Sequence, residues 1–244
     1  MTGQGNSLDG VCAALRKAKS VFILTGSGIS AESGLPTFRG VNGLWRTHRV
    51  EELASPEGFA RDPLLVWTWY NERKAAHHGA EPNAGHRAIV QLGNTIPDFT
   101  LATQNVDSLH LRAGSRNVLE LHGDLREARC TQCDARRPLD ATGLALDEIG
   151  HSCGGRFRPN IVWFGEPLPA VVWREAEIAA GRADVILVVG TSAVVYPAAA
   201  LATHYNDRAF VVEINPEETA ISARVDCVLR GRAAEVLPKI VEAL

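Results

Sequence analysis

Short apolar runs alternate along this chain with segments whose apolar residues recur at the spacing of a helix. The apolar runs are at residues 21–24, 99–102, 118–121, 185–189 and 210–214, and the helical patterns are at residues 8–15, 83–92, 170–180, 197–205 and 233–244. Buried strands separated by amphipathic helices are typical of parallel sheets that carry helices on both faces. The sequence therefore predicts an α/β fold built on a parallel sheet.

Two stretches interrupt this alternation. Residues 41–80 are rich in tryptophan and charge and have helical patterning, whereas residues 124–160 contain three cysteines, many arginines and little periodicity. We interpret both as inserts, one helical and one a zinc ribbon, that together form a smaller second domain. The domain that holds the sheet then consists of residues 1–40, 81–123 and 161–244.

Composition excludes several classes of protein. With 244 residues, of which 45% are hydrophobic and 22% charged, the chain can bury a large core. The formal net charge of −3 lacks the basic excess of a nucleic-acid-binding domain, and five cysteines are too few for a disulfide framework. The amino terminus has no signal-peptide pattern, and no apolar run approaches the length of about 18 residues that crosses a bilayer. We therefore expect a soluble, cytoplasmic protein without nucleic-acid or membrane partners.

The residues that follow the predicted strands share a character, because they are small or polar and include several glycines and one histidine. They are residues 26–28, residues 104–107, His122 with Gly123, residues 190–192 and Asn215. Any one of these groups alone is ordinary loop composition. In open α/β sheets, ligands bind beyond the carboxyl ends of the strands, so five such ends together predict a nucleotide-binding crevice.

The first of these turns fits the dinucleotide-binding pattern G-x-G-x-x-A at Gly26, Gly28 and Ala31. Its backbone N–H groups and the N-terminus of the helix that follows would hold a pyrophosphate. The acidic residue that usually closes a second strand about 20 positions later is missing, because Glu51 and Glu52 stand in a charged segment bounded by proline. This absence argues against a hydride-transfer dehydrogenase.

From Gly26 to Pro238, the chain resembles the sirtuins, which are NAD-consuming protein-lysine deacylases. The motifs that carry the resemblance are residues 26–28 (GSG, with serine where alanine is usual), 103–107 (TQNVD), 122–123 (HG), 162–166 (VWFGE) and 190–192 (GTS), with Asn215 and Ala233 late in the chain. The resemblance implies a Rossmann-like domain, a smaller helical and zinc-ribbon domain, and a cleft between them in which NAD and an acyl-lysine peptide meet.

The sirtuin reaction needs one general base. The acyl oxygen attacks the ribose of NAD as nicotinamide leaves, and the base then activates a ribose hydroxyl that carries the acyl group away. Histidine suits this work because its unperturbed pKa is about 6.5. Among eight histidines, only His122 ends a predicted strand and precedes a glycine, whereas His77, His78 and His204 are typical of loops or caps.

The resemblance also implies contacts for both substrates. Asn105 and Asp107 would act on the ribose and nicotinamide, and Asp107 could equally cap the helix that follows it. The expected NAD contacts are Gly26, Ser27, Gly28, Ser30, Ala31, Phe38, Arg39, Gln104, Asn105, Asp107, Gly190, Thr191, Ser192, Asn215 and Ala233. The substrate backbone would pair with residues 162–166 as an added strand, for which an ordinary core strand is the alternative. The residues expected to contact it are Val162, Phe164, Gly165 and Glu166.

The five cysteines form two sets. Cys12 and Cys227 lie in apolar segments and are expected to be buried and inert. The other three have the spacing of a zinc ribbon, and the sirtuin pattern adds a fourth cysteine that this chain lacks. Because structural zinc accepts three cysteines and one histidine, we predict a Zn²⁺ site at Cys130, Cys133, His151 and Cys153. A decayed site without metal is the competing hypothesis, and a redox pair fits less well because the C-x-x-C does not open a helix after a strand.

Tyr70 and Arg73 stand three residues apart in a predicted helix, so they share one face. A guanidinium fork suits a carboxylate, and a phenol adds a neutral donor. The alternative is a surface arginine beside aromatic packing from Trp67 and Tyr70. The spacing resembles the Tyr-x-x-Arg pair of the sirtuin class that accepts malonyl- and succinyl-lysine, which implies a desuccinylase or demalonylase.

Two other functions stay open from the sequence. An ADP-ribosyltransferase that used the same NAD pocket would attach ADP-ribose to protein, and an idle NAD-binding or interaction module would release no nicotinamide. The presence of Asn105, Asp107 and His122 argues against the idle module.

Overall fold

A parallel sheet of six strands forms the centre of the fold. The computed structural model describes residues 7–37 and 49–244. The strands are β1 (Ser20–Thr25), β2 (Asp98–Thr103), β3 (Leu119–Glu120), β4 (Gly123–Cys130), β5 (Arg136–Pro138), β6 (Phe157–Ile161), β7 (Val185–Val189), β8 (Phe210–Asn215) and β9 (Cys227–Arg230). The α-helices are α1 (Leu8–Lys17), α2 (Val50–Leu53), α3 (Pro56–Arg61), α4 (Pro63–Gly79), α5 (Ala84–Thr95), α6 (Leu109–Ala113), α7 (Ala170–Arg182) and α8 (Ala233–Glu242).

The strand order of the large sheet is β3-β2-β1-β7-β8-β9, and every neighbouring pair in it is parallel. This order reverses direction between β1 and β7, which are adjacent in the sheet although β1 ends at Thr25 and β7 begins at Val185. Ligands of open α/β sheets bind at such a reversal, beyond the carboxyl ends of the strands. The topology therefore places the ends of β1, β2, β7 and β8 around one crevice.

Helices cover both faces of this sheet because successive strand residues point to opposite sides. Val21 and Ile23 pack with residues of α1, α5 and α8, whereas Phe22 and Leu24 pack with alanines of α7 and of a 3-10 helix at Ala198–Ala202. Strands buried on both faces must be apolar throughout, which explains the unbroken apolar runs in the sequence. The predicted parallel sheet with helices on both faces is confirmed.

A second, antiparallel sheet has the order β5-β4-β6. Its apolar side packs against α2, α3 and α4 in a separate core that includes Trp67, Phe157 and Trp163. The indole of Trp67 donates a hydrogen bond to the carbonyl oxygen of Phe157 at 2.8 Å. The segments interpreted as inserts thus share one core, and the exact division of the chain into domains stays a prediction.

Two predicted elements differ from those observed. The helix expected at residues 197–205 is reduced to the 3-10 helix Ala198–Ala202. The chain turns soon after it, where the side chain of Asn206 accepts the N–H groups of Arg208 and Ala209. The turn after β1 leads into a 3-10 helix, Ser27–Ser33, instead of an α-helix. Among the described residues, no helix combines the length and apolar character needed to cross a membrane.

Candidate active site

A cleft of about 750 Å³ lies at the carboxyl ends of β1, β2, β7 and β8. Most of the residues predicted to contact NAD line it: Gly26, Ser27, Gly28, Ala31, Gln104, Asn105, Gly190, Thr191, Ser192 and Asn215. His122 and all of the residues predicted to contact substrate line the same cleft: Tyr70, Arg73, Val162, Phe164, Gly165 and Glu166. The structure therefore brings the two predicted sets of residues together.

Three predicted NAD contacts among the described residues do not line the main cleft. Ser30 and Asp107 border a smaller adjoining cavity of about 40 Å³, which Arg73 and Asn105 also line. Ala233 is 4% exposed and packs in the core at the start of α8. Phe38 and Arg39 lie outside the described residues, and the roles of all predicted site residues stay predictions.

The floor of the cleft is bare backbone. The N–H of Gly28 donates to the carbonyl oxygen of Gly190 at 2.8 Å, and a Cβ atom on Gly28 would lie 2.7 Å from that oxygen. A Cβ atom on Gly26 would lie 2.7 Å from the Cβ of Thr191. Gly190 itself has φ +60°, in the left-handed region that favours glycine. The glycines of the two motifs are therefore required by the contact between the ends of β1 and β7.

Two polar residues that follow β2, Asn105 and Asp107, form a connected network with Ser30 of the 3-10 helix after β1. Asn105 donates through Nδ2 to the carbonyl oxygen of Gly26 at 3.1 Å and to the hydroxyl of Ser30 at 3.2 Å. Ser30 donates to Asp107 at 2.7 Å, and the other carboxylate oxygen of Asp107 accepts the N–H of Leu109 at 2.9 Å. Burial raises the pKa of Asp107 above its ordinary value, although these hydrogen bonds oppose the shift. Asp107 therefore stabilises the start of α6 and also faces the smaller cavity.

His122 follows β3 and has one ring nitrogen fixed by the backbone. Nδ1 lies 3.0 Å from the carbonyl oxygen of Gln104, and because a carbonyl oxygen only accepts, Nδ1 carries the proton. In the neutral ring, Nε2 is then unprotonated and free to accept a proton. Burial lowers the pKa of His122, and the hydrogen bond to Gln104 partly offsets that effect. The geometry makes His122 a competent general base at neutral pH.

Gly123 explains why a glycine follows this histidine. Its φ is +77°, and a Cβ atom there would lie 2.1 Å from the carbonyl oxygen of Asn160. The chain therefore crosses from β3 into β4 against the backbone of β6. The carbonyl oxygen of His122 also accepts the N–H of Val162 at 2.9 Å, which connects the histidine to the predicted substrate segment.

Residues 162–166 do not form a strand, since β6 ends at Ile161. Trp163 is buried, whereas Phe164 is 48% exposed. The carboxylate of Glu166 accepts hydrogen bonds from the guanidinium of Arg158 at 2.5 and 2.9 Å and from the N–H of Trp163 at 2.8 Å. The alternative of a core strand is wrong, because Glu166 folds this segment back on itself. Pairing with a substrate backbone stays a prediction.

Helix α4 presents Tyr70 and Arg73 to the cleft, as the three-residue spacing predicts. The hydroxyl oxygen of Tyr70 accepts the indole N–H of Trp163 at 3.0 Å, which leaves its own proton for another acceptor. Burial raises the pKa of Tyr70, so the phenol stays neutral. The guanidinium of Arg73 lies 3.9 Å from the centre of the Trp69 ring, and burial lowers its pKa. Among the described residues, no carboxylate pairs with Arg73, and its buried Nε has no hydrogen-bond partner.

The predicted metal ligands meet at one end of the second sheet. The ligand atoms of Cys130, Cys133, His151 and Cys153 all lie within 4.8 Å of one another, and the three thiols are free. Cys130 Sγ lies 3.5 Å from Cys153 Sγ and 3.8 Å from His151 Nδ1. In a tetrahedral zinc site, sulfur atoms are about 3.8 Å apart and sulfur and nitrogen about 3.6 Å. The donor set and its spacing fit structural Zn²⁺, and the N–H that Gln132 donates to Cys130 lowers the pKa of that thiol to about 7.

A sequence profile of the Sir2 family matches residues 26–197. The chain belongs to the Sir2 family. It is 50% identical over 229 residues to NAD-dependent protein deacylase 2 of Pyrobaculum aerophilum, and the match covers 93% of this chain and 92% of that protein. It is 47% identical over 234 residues to the NAD-dependent protein deacylase of Thermococcus kodakarensis, with 93% and 91% covered.

Solved structures of Sir2 proteins are similar over nearly the whole fold. A Sir2 homologue in complex with NAD is 44% identical, with a TM-score of 0.92, and the match covers 99% of this chain and 95% of that one. A Sir2 complex with a p53 peptide and NAD⁺ is 29% identical, with a TM-score of 0.83, and the match covers 97% and 98%. These similarities confirm the family that the motifs indicate.

Behind the cleft of this Sir2 family member, His86 and His110 contact each other in the core, with ring centres 4.9 Å apart. Thr25 donates to Thr103 at 2.8 Å, so its oxygen accepts from Nε2 of His110 at 2.9 Å. Burial lowers the pKa of His86 to about 4 and that of His110 to about 3. Both rings are therefore neutral in the folded protein at neutral pH.

Acidification from pH 7 to pH 5 is expected to destabilise the protein through these two histidines. Their folded-state pKa values lie below the ordinary value of 6.5, so only the unfolded chain takes up protons as the pH falls below it. Each should lower the free energy of unfolding by roughly 2 kcal/mol over this range. Urea denaturation at both pH values should show a smaller loss for His110→Gln than for the wild type. An undiminished loss in that variant, relative to the exposed control His78→Gln, would contradict this account.

Proposed function

We propose that this chain is an NAD-dependent protein-lysine deacylase in which His122 is the general base. The observation that carries the proposal is the fixed tautomer of His122, with Nδ1 bonded to Gln104 and Nε2 free at the edge of the cleft. The relatives that match carry the names of NAD-dependent protein deacylases, and solved relatives hold NAD or ADP ribose. The ADP-ribosyltransferase alternative is therefore not favoured.

NAD supplies the electrophilic ribose carbon and a leaving nicotinamide, and the chain's residues hold and shield these groups. The bare backbone of Gly26 and Gly28 admits a pyrophosphate, because no side chain fills the floor there. The amide of Gln104 donates to the hydroxyl of Thr191 at 3.0 Å, and the amide of Asn215 donates to the backbone oxygen of Thr191 at 3.1 Å. These bonds fix the side of the cleft that we assign to the adenosine of NAD. We assign Asn105, Asp107 and Ser30 to the ribose and nicotinamide.

A peptide substrate is proposed to run beside residues 162–166. The exposed Phe164 and the backbone near Gly165 line the cleft. The N–H of Val162 donates a hydrogen bond to the carbonyl oxygen of His122, so a lysine side chain that enters beside this segment would reach the histidine. Main-chain pairing would give affinity with little selection among peptide sequences. The Sir2 relative solved with a p53 peptide supports a protein substrate.

Within the deacylase reaction, we propose that the chain prefers acyl groups that end in a carboxylate. Arg73 is half-buried, and its buried Nε has no hydrogen-bond partner among the described residues, which is unfavourable. An incoming carboxylate would supply charge-assisted hydrogen bonds to this guanidinium. Tyr70 lies on the same helix face, and its oxygen accepts from Trp163, so its O–H proton can be donated to a ligand. Stacking of Arg73 on Trp69 agrees with the alternative of simple aromatic packing, but that alternative leaves the buried Nε unpaired.

Product analysis with acetyl-, malonyl- and succinyl-lysine peptides tests both levels of this proposal. Nicotinamide and an O-acyl-ADP-ribose should form in each case, with malonyl and succinyl peptides favoured through a lower KM. Arg73→Met should remove that preference by raising the KM of the carboxylated peptides roughly 10–100-fold, the range for a hydrogen bond to a charged group. Acetyl-lysine hydrolysis should change little.

Arg61→Met is the matched control, since Arg61 is an exposed residue at the end of α3 and lies outside the residues that line the cleft. A wild-type preference for acetyl-lysine would contradict the acyl assignment and leave the deacylase assignment intact. Transfer of labelled ADP-ribose to protein, without O-acyl-ADP-ribose, would contradict the deacylase assignment itself.

A further inference from the structure

His77 lines the cleft and has no role in the reaction described so far. His77 lies one helical turn beyond Arg73 on α4, so Tyr70, Arg73 and His77 occupy positions i, i+3 and i+7 of one face. It lines the main cleft and also the smaller cavity beside it, and Arg73 does the same. A helix rises about 1.5 Å per residue, so His77 extends the polar wall by about 6 Å beyond Arg73.

The side chain of His77 is partly buried, and one of its ring nitrogens has no hydrogen-bond partner among the described residues. That nitrogen is Nδ1, which is itself buried. Burial lowers the pKa of His77 to about 4, with further contributions from the positive charges of Arg73 and Lys74. The ring is therefore neutral, with one N–H to donate and one nitrogen to accept. Leaving a buried polar atom unpaired is unfavourable, so a ligand that supplies the missing partner is favoured at this position.

The backbone at His77 is held in place independently of its ring. Its carbonyl oxygen accepts a hydrogen bond from Nη1 of Arg112 at 3.1 Å, and the same guanidinium donates to the carbonyl oxygen of Ala80 at 2.6 Å. These bonds attach the end of α4 to α6. A change of the side chain alone therefore leaves the helix end anchored, which makes the position suitable for substitution.

We propose that His77 is a specificity-determining residue that donates a hydrogen bond to the distal carboxylate of the acyl group. The inference rests on the proposed preference for carboxylated acyl groups and extends it. Arg73 neutralises the carboxylate, and His77 supplies a second donor farther along the same wall. Because His77 lies beyond Arg73, its contact favours acyl chains longer than malonyl, namely succinyl and glutaryl. Nothing in this role requires His77 to change its charge.

The test compares His77→Leu, which removes the donor, with His77→Gln, which retains an N–H. Peptide affinity without NAD and steady-state kinetics with NAD are measured for acetyl-, malonyl-, succinyl- and glutaryl-lysine. His77→Leu should weaken succinyl and glutaryl binding and raise the corresponding KM by roughly 10-fold, with kcat and the acetyl KM unchanged. His77→Gln should restore much of the affinity. His78→Leu, at the exposed neighbouring position, is the control.

Four outcomes would overturn the proposal. Equal weakening of acetyl and succinyl binding in His77→Leu would make His77 a packing residue only. Unchanged acyl affinities together with altered inhibition by nicotinamide would assign it to the smaller cavity. A carboxylate preference that Arg73→Met abolishes and His77→Leu leaves intact would overturn the role of His77 alone, whereas a wild type without any such preference would overturn the acyl assignment as well.

Discussion

Replacement of His122 by alanine is expected to slow acyl transfer by roughly 10²–10⁴-fold or more, the range for loss of a general base. The variant removes Nε2, which is the nitrogen left free by the bond from Nδ1 to Gln104. NAD affinity should be retained, because the glycine floor and the network around Asn105 do not depend on the imidazole. Rapid-quench measurement of deacylation and calorimetric titration with NAD separate the two effects.

His204→Ala serves as the control, since His204 is exposed and its ring forms a hydrogen bond with the hydroxyl of its neighbour Thr203. The wild-type rate should also fall as the pH drops through the pKa of His122, because a protonated ring cannot accept a proton. Burial lowers that pKa, so the fall should occur below the pH at which an ordinary histidine titrates. Near wild-type deacylation by His122→Ala would remove this residue from the mechanism.

The large sheet and the cleft floor could be predicted from the sequence, because both depend on residue types that are local in the chain. A central parallel strand is buried on both faces, so its residues are apolar throughout. The apolar run at residues 185–189 therefore predicts β7 from local sequence alone. The glycines that follow β1 and β7 are needed because their backbones touch. Local sequence is therefore sufficient to predict the strands and the glycine turns. The cluster of metal ligands could also be predicted, from the spacing of the cysteines and the ligands that zinc accepts.

The interactions that depend on packing between distant segments could not be predicted. The helical pattern of α4 was visible, yet its orientation depends on Trp67 and Tyr70 entering the core of the second sheet. From the sequence, His77 is typical of a loop or cap, and its four-residue spacing from Arg73 is the signal that places both on one helix face. The sequence predicts Glu166 only as a substrate contact, because its ion pair with Arg158 on β6 depends on the fold of the whole segment.

Loss of the zinc ligands should have the second large effect, on stability first and on activity through it. Purified protein is expected to contain about one zinc per chain, and Cys130→Ser should lose it. Structural zinc contributes on the order of 10 kcal/mol in zinc-finger peptides, which is comparable to the whole stability of a domain. The core shared by the second sheet and α4 should therefore loosen, and fluorescence of its tryptophans at 67, 69 and 163 would report this.

The expected loss of activity follows from contacts that connect the metal site to helix α4, because the metal ligands themselves do not line the cleft. The ring of His151 lies 4.9 Å from that of Phe157, and the carbonyl oxygen of Phe157 accepts the indole N–H of Trp67 on α4. The same helix presents Tyr70 and Arg73 to the cleft, so disorder that begins at the metal site would reach these two side chains. Gln132→Ala, which alters an exposed side chain between two ligands, should keep both zinc and activity. Folded, active protein that contains no zinc would decide for the decayed site, and the second sheet would then be stable through its apolar core alone.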